Sequence, residues 1–202
     1  MTDLLTNYPS KGYFSLKQCI YSDVAIKNNI NNFPGSDFDS IYGKELSKDK
    51  IINNLHKLFK TCINPIKKRY PGVKLTSVYR NKKLNELIGG APFSQHIYGY
   101  AADMVFPDSN TSALFNWCRL NLPMYHQLIW EYPERGQYFD GRQIFSWIHI
   151  SYIEGNNFKE NSVSSLNPKI HEYYKGNNLF KLNNFTHGIT KAEQSIIDDL
   201  EL

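Results

Sequence analysis

Two of the six histidines in this 202-residue chain sit in patterns that could do chemistry. His96 lies in Ser94-Gln-His-Ile-Tyr-Gly-Tyr-Ala-Ala-Asp103, seven residues before an aspartate. The small residues Gly99, Ala101 and Ala102 allow a loop to lie close against the strand that delivers Asp103. A histidine and an aspartate brought together by such a turn can give two ligands to one zinc ion. His149 lies in Ser146-Trp-Ile-His-Ile-Ser-Tyr152, where strand alternation puts Trp147, His149 and Ser151 on one face and Ile148, Ile150 and Tyr152 on the other. An imidazole on a rigid strand facing a cleft suits a third ligand. Two histidines, one aspartate and a water in the fourth position make an open, catalytic type of zinc site. Spacing alone does not separate this trio from a chance grouping. The other four histidines, His56, His126, His171 and His187, read as surface or loop residues.

These residues need rigid elements to hold them. Ser15 reads as the N-cap of a short helix. Residues 27–45, rich in Asn, Gly and Asp, read as a long surface loop. Ser47 opens the strongest helix, in which Ile51, Ile52, Leu55, Leu58, Phe59, Cys62, Ile63 and Ile66 recur at three- and four-residue spacing. Pro65 should kink that helix or sit near its last turn, and Pro71-Gly72 ends it. Val73 to Tyr79 alternates as a strand, Asn81 to Ile88 reads as a short helix stopped by Gly89-Gly90, and Ala101 to Phe106 as a strand. Thr111 to Leu120 follows as a helix, then strands at Gln127 to Glu131 and Ser146 to Tyr152. Helices first and strands after predict an α+β fold, with a small, mostly antiparallel sheet flanked by helices. Past Glu154 the periodicity fades until Thr190-Lys-Ala-Glu193, a capping box. The expected organisation is a tail over 1–11, a domain over 12–154 and an appendage over 155–202 that wraps the domain or docks on a partner.

Composition narrows the class further. Hydrophobic residues make up 41% and charged residues 21%, enough to bury a core. Asparagines recur in pairs, such as Asn31-Asn32 and Asn53-Asn54, and read as an AT-rich genome and loop-rich surfaces rather than a motif. Cys19, Cys62 and Cys118 are odd in number and set in apolar patterns, so buried thiols are expected and a disulfide framework is not. With no paired cysteines, a metal here must use histidine and carboxylate. No run approaches the roughly 18 apolar residues of a membrane span, and the start lacks a basic-then-apolar signal, so synthesis as a soluble cytoplasmic chain is expected. The net charge is +4. Residues 190–202 carry a local −3, which leaves +7 on the rest. That favours anionic partners such as wall polymers or nucleic acid without choosing between them. A nucleic-acid binder rests on this charge alone and ranks far behind.

The segment Ser94 to Asp103 matches Ser-x-His-x-x-Gly-x-Ala-x-Asp, and so resembles the D-Ala-D-Ala carboxypeptidase metallopeptidase family, which includes the L-alanyl-D-glutamate endolysins of phages. Ser77-Val-Tyr-Arg80, Leu84-Asn85, Gly89-Gly90, Gln127-Leu-Ile and Trp147-Ile-His149 resemble that family's phage and bacterial branch in the same order, as do Tyr13-Phe-Ser-Leu and the helix around Leu55 to Ile66. Coverage is about residues 12 to 153. The resemblance implies zinc held by His96, Asp103 and His149, and a peptidase acting on peptidoglycan stem peptides. It implies that Arg80 binds a substrate carboxylate or stabilises the oxyanion, a task suited to a guanidinium. Ser94 and Gln95 would shape the substrate site, and Gln127 would line it.

One departure matters. Many members place the catalytic glutamate three residues before the last histidine, where this chain has Ser146. A base is needed to take a proton from water and return it to the leaving amine. Glu131, ending the preceding strand, is the best replacement, with Asp140 and Glu134 weaker. The resemblance, the missing signal and the Asn-rich composition together suggest a phage lysis enzyme or virion-borne wall hydrolase. In that reading residues 155–202 could dock on a phage structural protein. The alternative is a catalytically inactive member serving as a structural or wall-binding module of a phage particle.

Overall fold

The apolar stripe from Ile51 to Ile66 folds as one continuous helical segment with an irregular middle. In the computed structural model, which describes residues 15–35, 46–106, 111–131, 138–139, 142–143, 146–157, 159–164 and 181–183, five helical stretches precede the second strand. Helix α1 (Leu16–Cys19) is capped by Ser15 through a reciprocal box with Gln18. Helix α2 (Asp23–Lys27) is capped by Ser22. Helix α3 (Lys48–Leu58), capped by Ser47, runs into a π turn (Phe59–Ile63) and then α4 (Asn64–Arg69). Pro65 explains the irregularity. It lacks an N–H and its ring would strike a carbonyl one turn back, so the segment widens to bonds five residues apart, as in Asn64 N–H to Phe59 O. The kink expected at the proline is thus a π turn on its N-terminal side.

Strand β1 (Lys74–Ser77) is followed by α5 (Lys82–Leu87), a 3₁₀ turn (Gln95–Tyr98) and β2 (Ala101–Val105). Helix α6 (Thr111–Asn121) leads to β3 (Gln127–Glu131). A two-stranded hairpin, β4 (Tyr138–Phe139) and β5 (Arg142–Gln143), interrupts the connection to β6 (Trp147–Ser151). Beyond Glu154, β7 (Glu160–Ser164) and β8 (Lys181–Asn183) add to the sheet. The strand order is β1-β2-β6-β3-β7-β8. The first four strands are antiparallel to their neighbours, while β7 and β8 join in parallel. The fold is α+β, as the order of elements predicts. The N-terminal tail, the loop positions 36–45 and the capping box at Thr190 lie outside the described residues.

Alternation divides the sheet into two faces. Met104, Leu128, Trp130, Ile148 and Ile150 point to one side and are buried. They pack with Leu55, Leu58, Phe59, Ile63 and Ile66 of the long helical segment and with Leu114, Phe115 and Cys118 of α6 in one core. The register pairs Asp103 with His149 and His149 with Ile129, so these three point to the opposite, partly open side. Cys19, Cys62 and Cys118 are free and buried.

Candidate metal centre

His96 is delivered by a single 3₁₀ turn. Gly99 closes that turn in the left-handed region at φ 71°, where a Cβ would lie 2.7 Å from the Ile51 carbonyl oxygen of α3. Asn54, also on α3, donates from its side chain to the Tyr98 carbonyl at 3.0 Å. The stretch after β1 wraps the other side. Val78 O lies 2.6 Å from His96 Nδ1, and Arg80 N–H donates to His96 O at 3.3 Å. That stretch is itself held. Asn32 donates to the carbonyls of Ile20 and Tyr79, at 2.9 and 3.0 Å, and accepts from Asn81 N–H at 2.8 Å. Asn81 in turn caps α5 through Leu84 N–H.

Three donor atoms converge on the open side of the sheet. His96 Nε2 is 3.2 Å from Asp103 Oδ1, and His149 Nδ1 is 2.9 Å from the same oxygen. One ligand atom from each of these residues lies within 4.8 Å of the others. The donor set fits a zinc ion in its chemistry. A carbonyl accepts the Nδ1 proton of His96, which leaves Nε2 with its lone pair toward the site. Burial pushes the His96 imidazole below its ordinary value, against the pull of Asp103, and so favours the neutral ligand form. Burial also works to raise Asp103, but His96 and His149, through their charge and hydrogen bonds when protonated, outweigh it. They hold the carboxyl well below the usual carboxylate range. An ionised carboxylate and a neutral imidazole are what zinc requires.

The remaining predicted residues surround this trio. Arg80 Nη2 is 3.6 Å from Asp103 Oδ2, and its buried Nε has no hydrogen-bond partner among the described residues. Burial lowers the Arg80 pKa while Asp103 offsets it. Gln95 Oε1 lies 3.3 Å from His149 Nε2. Ser94, partly buried, precedes the 3₁₀ turn and holds it by backbone bonds, its carbonyl accepting from Ile97 N–H at 3.0 Å. Gln127, Ile129 and Glu131 alternate onto the site face of β3. Ile129 stands directly opposite His149, and Glu131 and Gln127 flank it on either diagonal. Such diagonals are about 7–8 Å between Cα atoms.

Ser146 is not placed for chemistry. Its hydroxyl accepts from Trp130 Nε1 at 2.7 Å and donates to Glu131 O at 3.3 Å, buried on the core side. Ser146 lies one residue before β6, and these two bonds turn its side chain away from His149. Asp140 and Glu134 lie outside the described residues.

Residues 45–132 match the family model described as Peptidase M15, the zinc D-Ala-D-Ala carboxypeptidase family. The match agrees with the motif resemblance, and peptidase is the activity it supports. It contains His96 and Asp103 and stops short of His149, which the β2–β6 register supplies. No curated protein matches the chain.

The asparagines were the part of the site least visible in the sequence. Asn32 and Asn54 belong to pairs that read as compositional bias, yet each is buried with a fixed backbone partner. Pairing of adjacent letters carries no signal for this. The partner carbonyls of Tyr79 and Tyr98 are more than forty residues away. The contact between Gln95 and His149 spans 54 residues and was equally hidden.

Proposed function

We propose that the chain is a zinc-dependent peptidase that hydrolyses an amide bond in peptidoglycan stem peptides. The observation that carries this reading is the convergence of His96 Nε2, Asp103 Oδ1 and His149 Nδ1 on one open sheet face, built largely from an M15-matching segment. His96, Asp103 and His149 would hold the metal. Bound there, zinc would polarise a carbonyl as a Lewis acid and lower the pKa of a bound water toward neutrality.

The chain's own groups do the rest. Glu131, on the same face and diagonal to His149, takes the proton from the attacking water and returns it to the leaving amine. Arg80, anchored beside Asp103, offers its guanidinium to a carboxylate of the stem peptide or to the charge that develops on the scissile carbonyl oxygen. Ser94 and Gln127 lie at the margins, where a bound peptide passes. The test is zinc content of the purified protein together with digestion of muropeptides. About one zinc per chain is expected, and Glu131→Gln should keep the zinc while slowing cleavage roughly 10²–10⁴-fold. No zinc after reconstitution overturns the reading.

A second reading follows from Ser146. With the family's usual glutamate position turned into the core, Glu131 is the candidate base among the described residues. Zinc uptake by a wild-type protein that cleaves no muropeptide but sediments with wall sacculi identifies a binding module instead.

A further inference from the structure

The two histidines present different nitrogens to Asp103: Nε2 from His96 and Nδ1 from His149. An imidazole can offer only one nitrogen as a ligand, and the group hydrogen-bonded to the other nitrogen decides which. For His96 that group is the Val78 carbonyl, 2.6 Å from Nδ1 and fixed by the backbone. For His149, the atom beyond the ring is Gln95 Oε1, 3.3 Å from Nε2. We infer that Gln95 is a positioning residue for the metal site, not a substrate contact: its amide oxygen holds the proton on His149 Nε2 and so leaves the Nδ1 lone pair for the metal. The inference rests on the zinc reading above.

The placement explains why one short turn can organise both imidazoles. Gln95 and His96 are consecutive in the 3₁₀ turn, so the element that supplies one ligand also sets the tautomer of the other, delivered from β6. The His96 and His149 ring centroids are 5.1 Å apart at an interplanar angle of 66°. A glutamine reaching across this gap fixes the rotation of the second ring as well as its proton. No other hydrogen bond to His149 Nε2 is found among the described residues.

The test compares wild type, Gln95→Met and Gln95→Glu as whole chains, with zinc alone as the probe. Methionine keeps the length of the side chain and removes the acceptor, whereas glutamate keeps the acceptor. Zinc affinity by chelator competition should fall roughly 10–100-fold in Gln95→Met and return to within a few-fold of wild type (about 3-fold or less) in Gln95→Glu. The ring ¹⁵N spectrum of zinc-loaded protein should show His149 protonated at Nε2 in wild type and in Gln95→Glu. Equal affinity in wild type and Gln95→Met, or a wild-type His149 protonated at Nδ1, overturns the inference and leaves the zinc reading standing. Equal loss in both variants shows a packing role and also overturns it. A wild type that takes up no zinc overturns the zinc reading, and this inference with it.

Discussion

The two faces of the antiparallel sheet are made by the same strands and behave as different materials. On the core face, Met104, Leu128, Ile148 and Ile150 are fully buried against helices. On the other face, Asp103, Ile129, Glu131, Trp147 and His149 stay half-buried, and four of the five carry polar atoms. Alternation alone assigns each residue to its face. The difference teaches that this fold supports its chemistry by adjacency: each residue of the site has a core residue next to it in the chain, so packing on one side fixes geometry on the other.

Ile148 and His149 test that division most sharply, because they are neighbours in sequence with opposite roles. Ile148→Ala should cost about 2–5 kcal/mol of stability, read by denaturant unfolding, while the folded fraction still binds zinc. His149→Ala should lose zinc affinity by more than the roughly 10–100-fold expected for a supporting residue. Its unfolding should stay cooperative but lose the rise in melting temperature expected for wild type on adding zinc. If both variants lost zinc and stability in parallel, the two faces would not be separable.

The next effect lies where the faces meet the long helical segment. Gly99→Ala places a Cβ against the Ile51 carbonyl in a backbone conformation that disfavours it. A loss on the order of 1–3 kcal/mol is expected, with weaker zinc binding because the turn that carries His96 must shift. Unchanged melting temperature would show that this contact relaxes freely.

Near neutral pH the smallest effect belongs to the core alone. Burial pushes the Cys19 and Cys62 thiols up to about 12 and Cys118 well above its ordinary value. All three should therefore resist thiol reagents at pH 8 until the chain unfolds. Unfolded thiols ionise near 9.0, and native ones hold their protons to about 12. The unfolded state thus binds fewer protons in that window, and stability should decline as pH rises from about 9 toward 12. Rapid labelling of native protein at pH 8 would contradict the burial.

Much of this division was legible in the sequence because it is local. Period-two alternation around His149 named the faces of that strand correctly, Gln127 to Glu131 was legible as a strand, and the stripe from Ile51 to Ile66 named the helix that covers the core. Capping residues Ser15 and Ser47 fall where expected. What stayed hidden depends on partners distant in the chain. Asn32 lies in a stretch that read as surface loop, yet its hydrogen bonds to Tyr79 and Asn81 bury it. Helix α2, five residues long, is too short for periodicity to announce. Parallel addition of β7 to β3 likewise depends on pairing that no local pattern encodes.

The place of β6 in the sheet has a consequence for how the chain can be divided. β6 lies between β2 and β3, although it follows both in sequence. A fragment ending at residue 132, where the family match stops, would leave β2 and β3 facing an empty slot with an unpaired edge on each side, and the far edge of β3 without β7. During folding the same slot must wait for a closure spanning 46 residues, from Asp103 to His149, before the sheet is continuous. A peptide spanning β6, added in trans to that fragment, offers a direct route to restoring both edges at once.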